Sequence, residues 1–364
     1  MLYHLLYPLR DWWFGFNVFR YITFRATMAS VTAFLLTLLL APRVIRWLTA
    51  LRMGQRIRQQ EEVRGLYDLH RHKDGTPTMG GLLILLALIG STLLWADILN
   101  LKVLLVSVVT VAFGAVGFLD DYAKIKQNNA RGISPRKKFL LQNLFAALFI
   151  VAILLWDASY PTTLEVPFFK TAVLTLGWLY VPFVMLVVVG TSNAVNLADG
   201  LDGLAIGCTM MIAFCLTAMS YMSGHWGIAD YLKIPFLPGV GELAVFCGAL
   251  MGASMGFLWY NSHPASVFMG DTGSLALGGA IGAVAVLIKK ELLLALIGGI
   301  FVMEAVSVIL QVTSFKLTGK RIFKMAPIHH HFQLMGWPES KVIVRFWILG
   351  AVFALLSLST LKLR

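Results

Sequence analysis

The stretch VLLVSVVTVAFGAVGFLDDYAK, Val103 to Lys124, decides the fold. From Val103 to Phe118 it carries no charged side chain, and it closes on two adjacent carboxylates, Asp120 and Asp121. Apolar runs of ~20 residues cross the hydrocarbon core of a bilayer as helices, which satisfy all their own backbone groups. Leu82–Leu94 and Ala172–Val189 read the same way. Over the 364 residues, 58% are hydrophobic and 13% charged, whereas a soluble domain is about half apolar and a quarter charged. Lipid is therefore the main solvent. The cysteines at 208, 215 and 247 lie inside apolar runs and read as small buried hydrophobes, without the spacing of a metal site or a disulfide framework.

Ten spans are expected, near 26–48, 80–96, 101–119, 139–156, 172–190, 203–222, 242–259, 272–288, 293–311 and 342–361. The fold class is all-α, polytopic, in a single membrane-embedded domain over 1–364. Residues 1–25 are rich in Trp, Tyr and Phe with interspersed Arg, which suits an interfacial segment in the headgroup layer. They lack the continuous apolar core of a cleaved signal peptide. The connections 49–79, 119–138, 191–202, 260–271 and 312–341 together hold nearly twice the Lys and Arg of the opposite set. The positive-inside rule puts that set in the cytoplasm and both termini outside. Basic cytoplasmic loops beside phospholipid account for the net charge of +12 without nucleic acid.

Every chemistry-bearing cluster falls on that same set of connections. Asp120 and Asp121 are expected at a helix C-terminus, where carboxylates oppose the dipole, and adjacent residues on a helix diverge by about 100°, so the two have different tasks. In TSNAVNLADGLDGLA, Thr191–Ala205, a capping role for Asp199 and Asp202 at the start of the sixth span competes with a site role. Capping leaves Asn193 and Asn196 unexplained; amides and carboxylates together suit a uracil and a ribose. In FMGDTGS, Asp271 is either an N-cap or the partner of a phosphate held at a helix N-terminus, with a cation such as Mg²⁺ between the two anions. Lys73 lies in HRHKDGTPTMGG and can pair with carboxylate or hold phosphate. His329, His330 and His331 are consecutive, so they cannot share one metal on a regular helix or strand; they suit donation to phosphate or carboxylate. Glu304 lies deep in the ninth span, where an ionisable group is a functional suspect, with helix-to-helix hydrogen bonding as the alternative. Ser307 and Gln311 share its face, and Gln311 lies near the cytoplasmic end.

The motifs HKDGTPTMGG, GFLDDYAK, NLADGLDGLA, MGDTGSLALGG and PIHHHFQLMGWPESKVIVRFW occur in order along nearly the whole chain. In these the sequence resembles the polyprenyl-phosphate N-acetylhexosamine-1-phosphate transferases, and the last motif resembles the branch that uses a muramoyl-pentapeptide nucleotide. The resemblance implies transfer of phospho-N-acetylmuramoyl-pentapeptide from its UDP derivative to undecaprenyl phosphate, giving lipid I and UMP in peptidoglycan synthesis. It implies Mg²⁺, ten membrane helices, a cytoplasm-facing site in the bacterial inner membrane and a homodimer. By motif match, Asp271 ligates Mg²⁺, Asp120 acts on the lipid phosphate, and Asp121 and Asp202 support the metal and phosphate region. Lys73, Asn193, Asn196 and Asp199 form the nucleotide side, with Phe268 stacking on uracil. His329, His330 and His331 contact the sugar-phosphate or peptide, and Gln311 reaches the site. Two alternatives stand: transfer of N-acetylglucosamine-1-phosphate to the same lipid, and a polytopic transporter or flippase. A transporter would place its site near the midplane.

Overall fold

The computed structural model describes residues 1–51, 73, 75–126, 132–157, 160–169 and 173–362. Most of the basic connection expected at 49–79 lies outside the described residues, as does part of 119–138. The chain is an all-α polytopic membrane protein. Among the described residues nine helices are long and apolar enough to cross a membrane. A short N-terminal helix, α1 (Leu2–Leu6), precedes α2 (Ile22–Ala50), α3 (Gly81–Trp95), α4 (Leu101–Lys126) and α5 (Pro135–Trp156). A hairpin of β1 (Thr163–Glu165) and β2 (Val173–Thr175) then leads to α6 (Tyr180–Ala198) and α7 (Leu204–Ser223). The short α8 (Trp226–Leu232) leads to α9 (Leu243–Asn261), and α10 (Gly270–Leu287) follows. After α11 (Glu291–Ile297) come α12 (Gly299–Thr318), the short α13 (Ile328–Leu334) and α14 (Glu339–Ser359). The shorter apolar α3 completes the ten expected spans.

Three boundaries differ from the sequence expectation. The fifth span starts at Tyr180, because the apolar residues before it pair as antiparallel strands, Leu164 opposite Leu174. The ninth breaks at Gly298, between α11 and α12, and runs on to Thr318. The third continues to Lys126, so Asp120 and Asp121 occupy its last turns and not its terminus.

The Gly-rich α10 is the most enclosed span, 89% buried, and α12 the least, at 22%. Small residues explain the difference, since they let neighbouring backbones approach within a membrane. A Cβ on Gly117 of α4 would collide with the Asp271 carbonyl, and one on Gly81 of α3 with the backbone of Gly273. Gly248, Gly252 and Gly256, one turn apart on α9, meet the backbone of α2 at Ala26, Ser30 and Phe34 in the same manner. The peripheral helices instead expose large apolar side chains, among them Leu39, Leu155, Leu186, Ile309 and Leu355. In a bilayer such surface is solvated by acyl chains.

Candidate active site at one end of the bundle

The close passage of Gly117 beside α10 brings the end of α4 onto the N-terminus of α10. Asp121 there accepts the backbone N–H groups of Asp271 (3.2 Å) and Thr272 (2.9 Å) and the Thr272 hydroxyl (2.8 Å). A helix N-terminus leaves such amides without intrahelical partners, and a carboxylate is a favoured acceptor for them. Asp121 thus caps α10 from a neighbouring helix. Asp271, for which a cap and a place beside phosphate were both open, lies one residue inside α10 with its carboxylate free to face elsewhere.

Asp271 Oδ2 is held by Lys124 at 2.9 Å and Lys138 at 2.6 Å, and its Oδ1 accepts from the Asn196 amide at 2.8 Å. Lys124 also meets Asp120 at 2.7 Å and Asp121 at 3.7 Å. Asp120 accepts the Ile133 N–H at 3.0 Å. The two adjacent aspartates therefore point to different partners, as helical geometry requires. The carboxylate oxygens of Asp120, Asp121 and Asp271 come within 4.8 Å of one another. Three carboxylates against two ammoniums leave a net negative centre lined by hard oxygen donors. That donor set fits Mg²⁺, which is commonly held by one or two carboxylates together with phosphate oxygens and water.

A second cluster forms beside the first. Lys73 Nζ lies 2.7 Å from Asp202 and 2.5 Å from Glu339 at the start of α14. Asp202 also meets His263 Nδ1 at 3.1 Å and accepts the Ala265 N–H at 3.1 Å, while its own N–H donates to Glu339 at 3.0 Å. Asp202, His263 and Glu339 have the spacing of metal ligands, but the Lys73 ammonium already supplies the positive charge between the two carboxylates. Burial pushes the Asp202 carboxyl up; Lys73, the Ala265 N–H and His263 outweigh it and hold the group below the usual carboxylate range.

Asp199 lies between the two clusters. Sequence reading offered it as the cap of α7; in the structure it ends α6, and Gly203 starts α7 with φ +75°, a conformation open to glycine. Burial, and then the fields of Asp271, Asp121 and Asp202, raise its carboxyl to about 8 against the opposing Lys73. Asn193, one turn before Asn196, turns to Gln142 of α5 at 2.9 Å. Phe268 is fixed through its backbone, its N–H to Pro77 at 2.8 Å and its carbonyl from Gly80 at 2.9 Å, with the ring half-buried.

The histidines sit on α13 with three different environments. His329 has no exposure and lies 3.1 Å from Glu304. His330 contacts Gln333 at 2.9 Å, and His331 Nδ1 accepts the Lys324 N–H at 3.1 Å. Gln311 accepts the Ile322 and Phe323 N–H groups and donates to the Phe323 carbonyl, so its amide is engaged with the segment after α12. Sequence reasoning did not single out Lys124, Lys138, His263 or Glu339. The i,i+3 and i,i+4 spacing of Lys124 from the aspartates was the available signal; the other three are joined only through space.

The polytopic helical bundle with its acidic, lysine-bridged centre at one end matches a transferase profile, the one described as glycosyl transferase family 4, over residues 103–289. A signature of phospho-N-acetylmuramoyl-pentapeptide-transferase matches residues 73–85, from Lys73 into α3. The chain is 54% identical to the phospho-N-acetylmuramoyl-pentapeptide-transferase of Oleidesulfovibrio alaskensis. It is 53% identical to those of Citrifermentans bemidjiense and Koribacter versatilis, and each match covers the whole of both chains. The chain belongs to the phospho-N-acetylmuramoyl-pentapeptide-transferase family.

Proposed function

We propose that this transferase moves phospho-N-acetylmuramoyl-pentapeptide from its UDP derivative to undecaprenyl phosphate, giving lipid I and UMP. The observation that carries the reading is the convergence of Asp120, Asp121 and Asp271 on Lys124 and Lys138 at one end of the bundle. A lipid phosphate at the bilayer surface reaches such a centre from one side and a soluble nucleotide from the other. One acceptor oxygen attacks the β-phosphorus of the nucleotide in line, the bond to the α-phosphate oxygen breaks, and UMP leaves. Two anions must be brought together, so charge neutralisation and positioning supply most of the catalysis.

Lys124 and Lys138 hold phosphoryl oxygens and balance the charge that develops on them. Asp120 orients the acceptor, which is already mostly dianionic near neutral pH (second pKa ~6) and needs no strong base; direct attack follows. Asp121 fixes the N-terminus of α10 and with it the height of Asp271. Asp271, with Asp120 and Asp121 beside it, would hold Mg²⁺, which when bound neutralises the phosphates and favours UMP departure. Lys73, Asn196, Asp199, Asp202 and Phe268 form the nucleotide side. The excess of basic residues on the connections at this end supports a cytoplasmic site, with both termini across the inner membrane.

Protein purified in detergent, given undecaprenyl phosphate and each UDP-sugar, tests the proposal by release of UMP with and without Mg²⁺. Mg²⁺-dependent release from the muramoyl-pentapeptide nucleotide is expected. Turnover of UDP-N-acetylglucosamine in its place would move the assignment to the N-acetylglucosamine branch, and turnover of neither would revive a transporter.

A further inference from the structure

Glu304 is the one acidic residue of α12, a helix otherwise largely turned to lipid. Its buried residues are Gly299, Ile300, Phe301, Glu304 and Ser307, and Gln311 continues that face one turn on. The Glu304 to Gln311 end of that face meets the histidine helix and the segment leading into it. Gln311 binds the backbone of Ile322 and Phe323, and Glu304 meets His329. Both Glu304 and His329 are 0% exposed, with Nδ1 and Oε2 separated by 3.1 Å. The pair is not aligned as a hydrogen bond, and among the described residues none of its four polar atoms has a hydrogen-bond partner.

A fully buried acid and imidazole without aligned hydrogen bonds cost stability, and hydrophobic residues of similar volume would pack the same space at less cost. What the pair provides is position. The far edge of the His329 ring, Nε2 and Cε1, lies against Gly200, where a Cβ would collide with it. Gly200 follows Asp199 and precedes Asp202 in one tight connection, whose end is set by Gly203. The ring therefore forms a stop beneath the loop that carries both acidic residues of the nucleotide side.

We infer that Glu304 is a positioning residue, which seats His329 against Gly200 and thereby sets the height of the Asp199–Asp202 loop for the nucleotide substrate. The inference rests on the nucleotide reading of that loop. His329 acts here through the loop backbone and does not itself touch substrate. Gln311 shares the task by anchoring the start of the same segment.

Steady-state kinetics of full-length protein, with UMP binding measured separately by calorimetry, tests this. Glu304→Leu is expected to raise the KM for the nucleotide substrate and weaken UMP at least about tenfold, with the KM for the lipid phosphate unchanged. Glu304→Gln keeps the volume and the shape that seat the ring and is expected to restore most of the loss. Gly200→Ala, which pushes on the ring from the loop side, should reproduce the nucleotide defect and add little to it in a Glu304→Leu background. Unchanged UMP affinity in well-folded Glu304→Leu or Gly200→Ala protein would overturn the inference, as would additive defects. Failure of the wild-type protein to bind UMP would instead strike the proposed function itself.

Discussion

The two ends of the helix bundle treat charge in opposite ways. At the end away from the candidate site, the buried cations Arg25, Lys289 and Lys290 each meet a carboxylate of their own. Arg25 of α2 forms a fork with Glu242 at 2.7 and 2.5 Å, and the Asp97 N–H completes the acceptor at 3.1 Å. Lys290 pairs with Glu165 at 2.6 Å, and Lys289 with Glu291 at 3.1 Å and the Tyr180 hydroxyl at 2.8 Å. At the other end three carboxylates crowd together and share two ammoniums, Lys124 touching all three. Matched pairs hold helices together; a crowd of like charges is tolerable only where a further cation or a polar substrate completes it. The first arrangement is built for stability and the second for chemistry.

The largest effects should come from removing a member of the crowded end. For Asp271→Asn, turnover should fall by at least about a thousandfold, while the thermal midpoint in detergent stays level or rises, because mutual repulsion among the carboxylates is relieved. Near-normal turnover at ordinary Mg²⁺ would show that the carboxylate is structural and erase the contrast. Glu242→Leu makes the opposite cut. It strands the 2% exposed Arg25 guanidinium, and breaking a buried pair in this way costs about 3–5 kcal/mol. A lower thermal midpoint is expected, with kcat and KM of the folded fraction unchanged. A selective loss of turnover would mean that the two ends are coupled.

Glu339 sharpens the comparison within the site end. It joins α14 to Lys73 and to the Asp202 backbone. Glu339→Gln leaves Lys73 with one carboxylate partner, and a rise of about tenfold in nucleotide KM with smaller loss of kcat is expected, the scale of one charge-assisted hydrogen bond. An unchanged KM would reduce Glu339 to a tether of the last helix.

The spans were legible from apolar length, and so was the gathering of polar motifs on alternate connections. Asp120, Asp121, Asp271 and Asn196 were legible as a group because each closes or opens a span at that end. What one residue does for another across helices was not. That Asp121 caps α10, and so frees Asp271, depends on the contact of Gly117 with the Asp271 backbone, which local spacing does not encode. The same holds for Lys138, His263 and Glu339, which arrive from other segments. The eighth span opens on an acid of its own, Asp271, but the acid that caps it comes from the third. Glu304 was visible as an anomaly in an apolar run, and only packing against His329 supplied it with a task.

The last expected effect, on stability and not on turnover, separates two acids three residues apart. Asp199, lifted by burial and by Asp271, Asp121 and Asp202, keeps its proton to about pH 8, while Asp202, with Lys73 and His263 against it, releases its proton below the usual range. Between the unfolded carboxylate pKa of about 4 and pH 8, the native state then holds a proton at Asp199 that the unfolded chain has released. The native state binds more protons over that window, so stability falls as pH rises through it and levels off above. Asp202 has the reverse sign: its contribution is full above the unfolded pKa and disappears as acid protonates it. In Mg²⁺-free detergent solution the thermal midpoint of the wild-type protein should therefore fall from pH 6 to 8, and Asp199→Asn, which cannot titrate, should flatten that decline without altering the acid limb. Asp202→Asn should change the acid limb and leave the decline from pH 6 to 8 in place. Identical profiles for wild type and Asp199→Asn would mean that Asp199 is ionised at neutral pH, and that the crowding of carboxylates ends at Asp271.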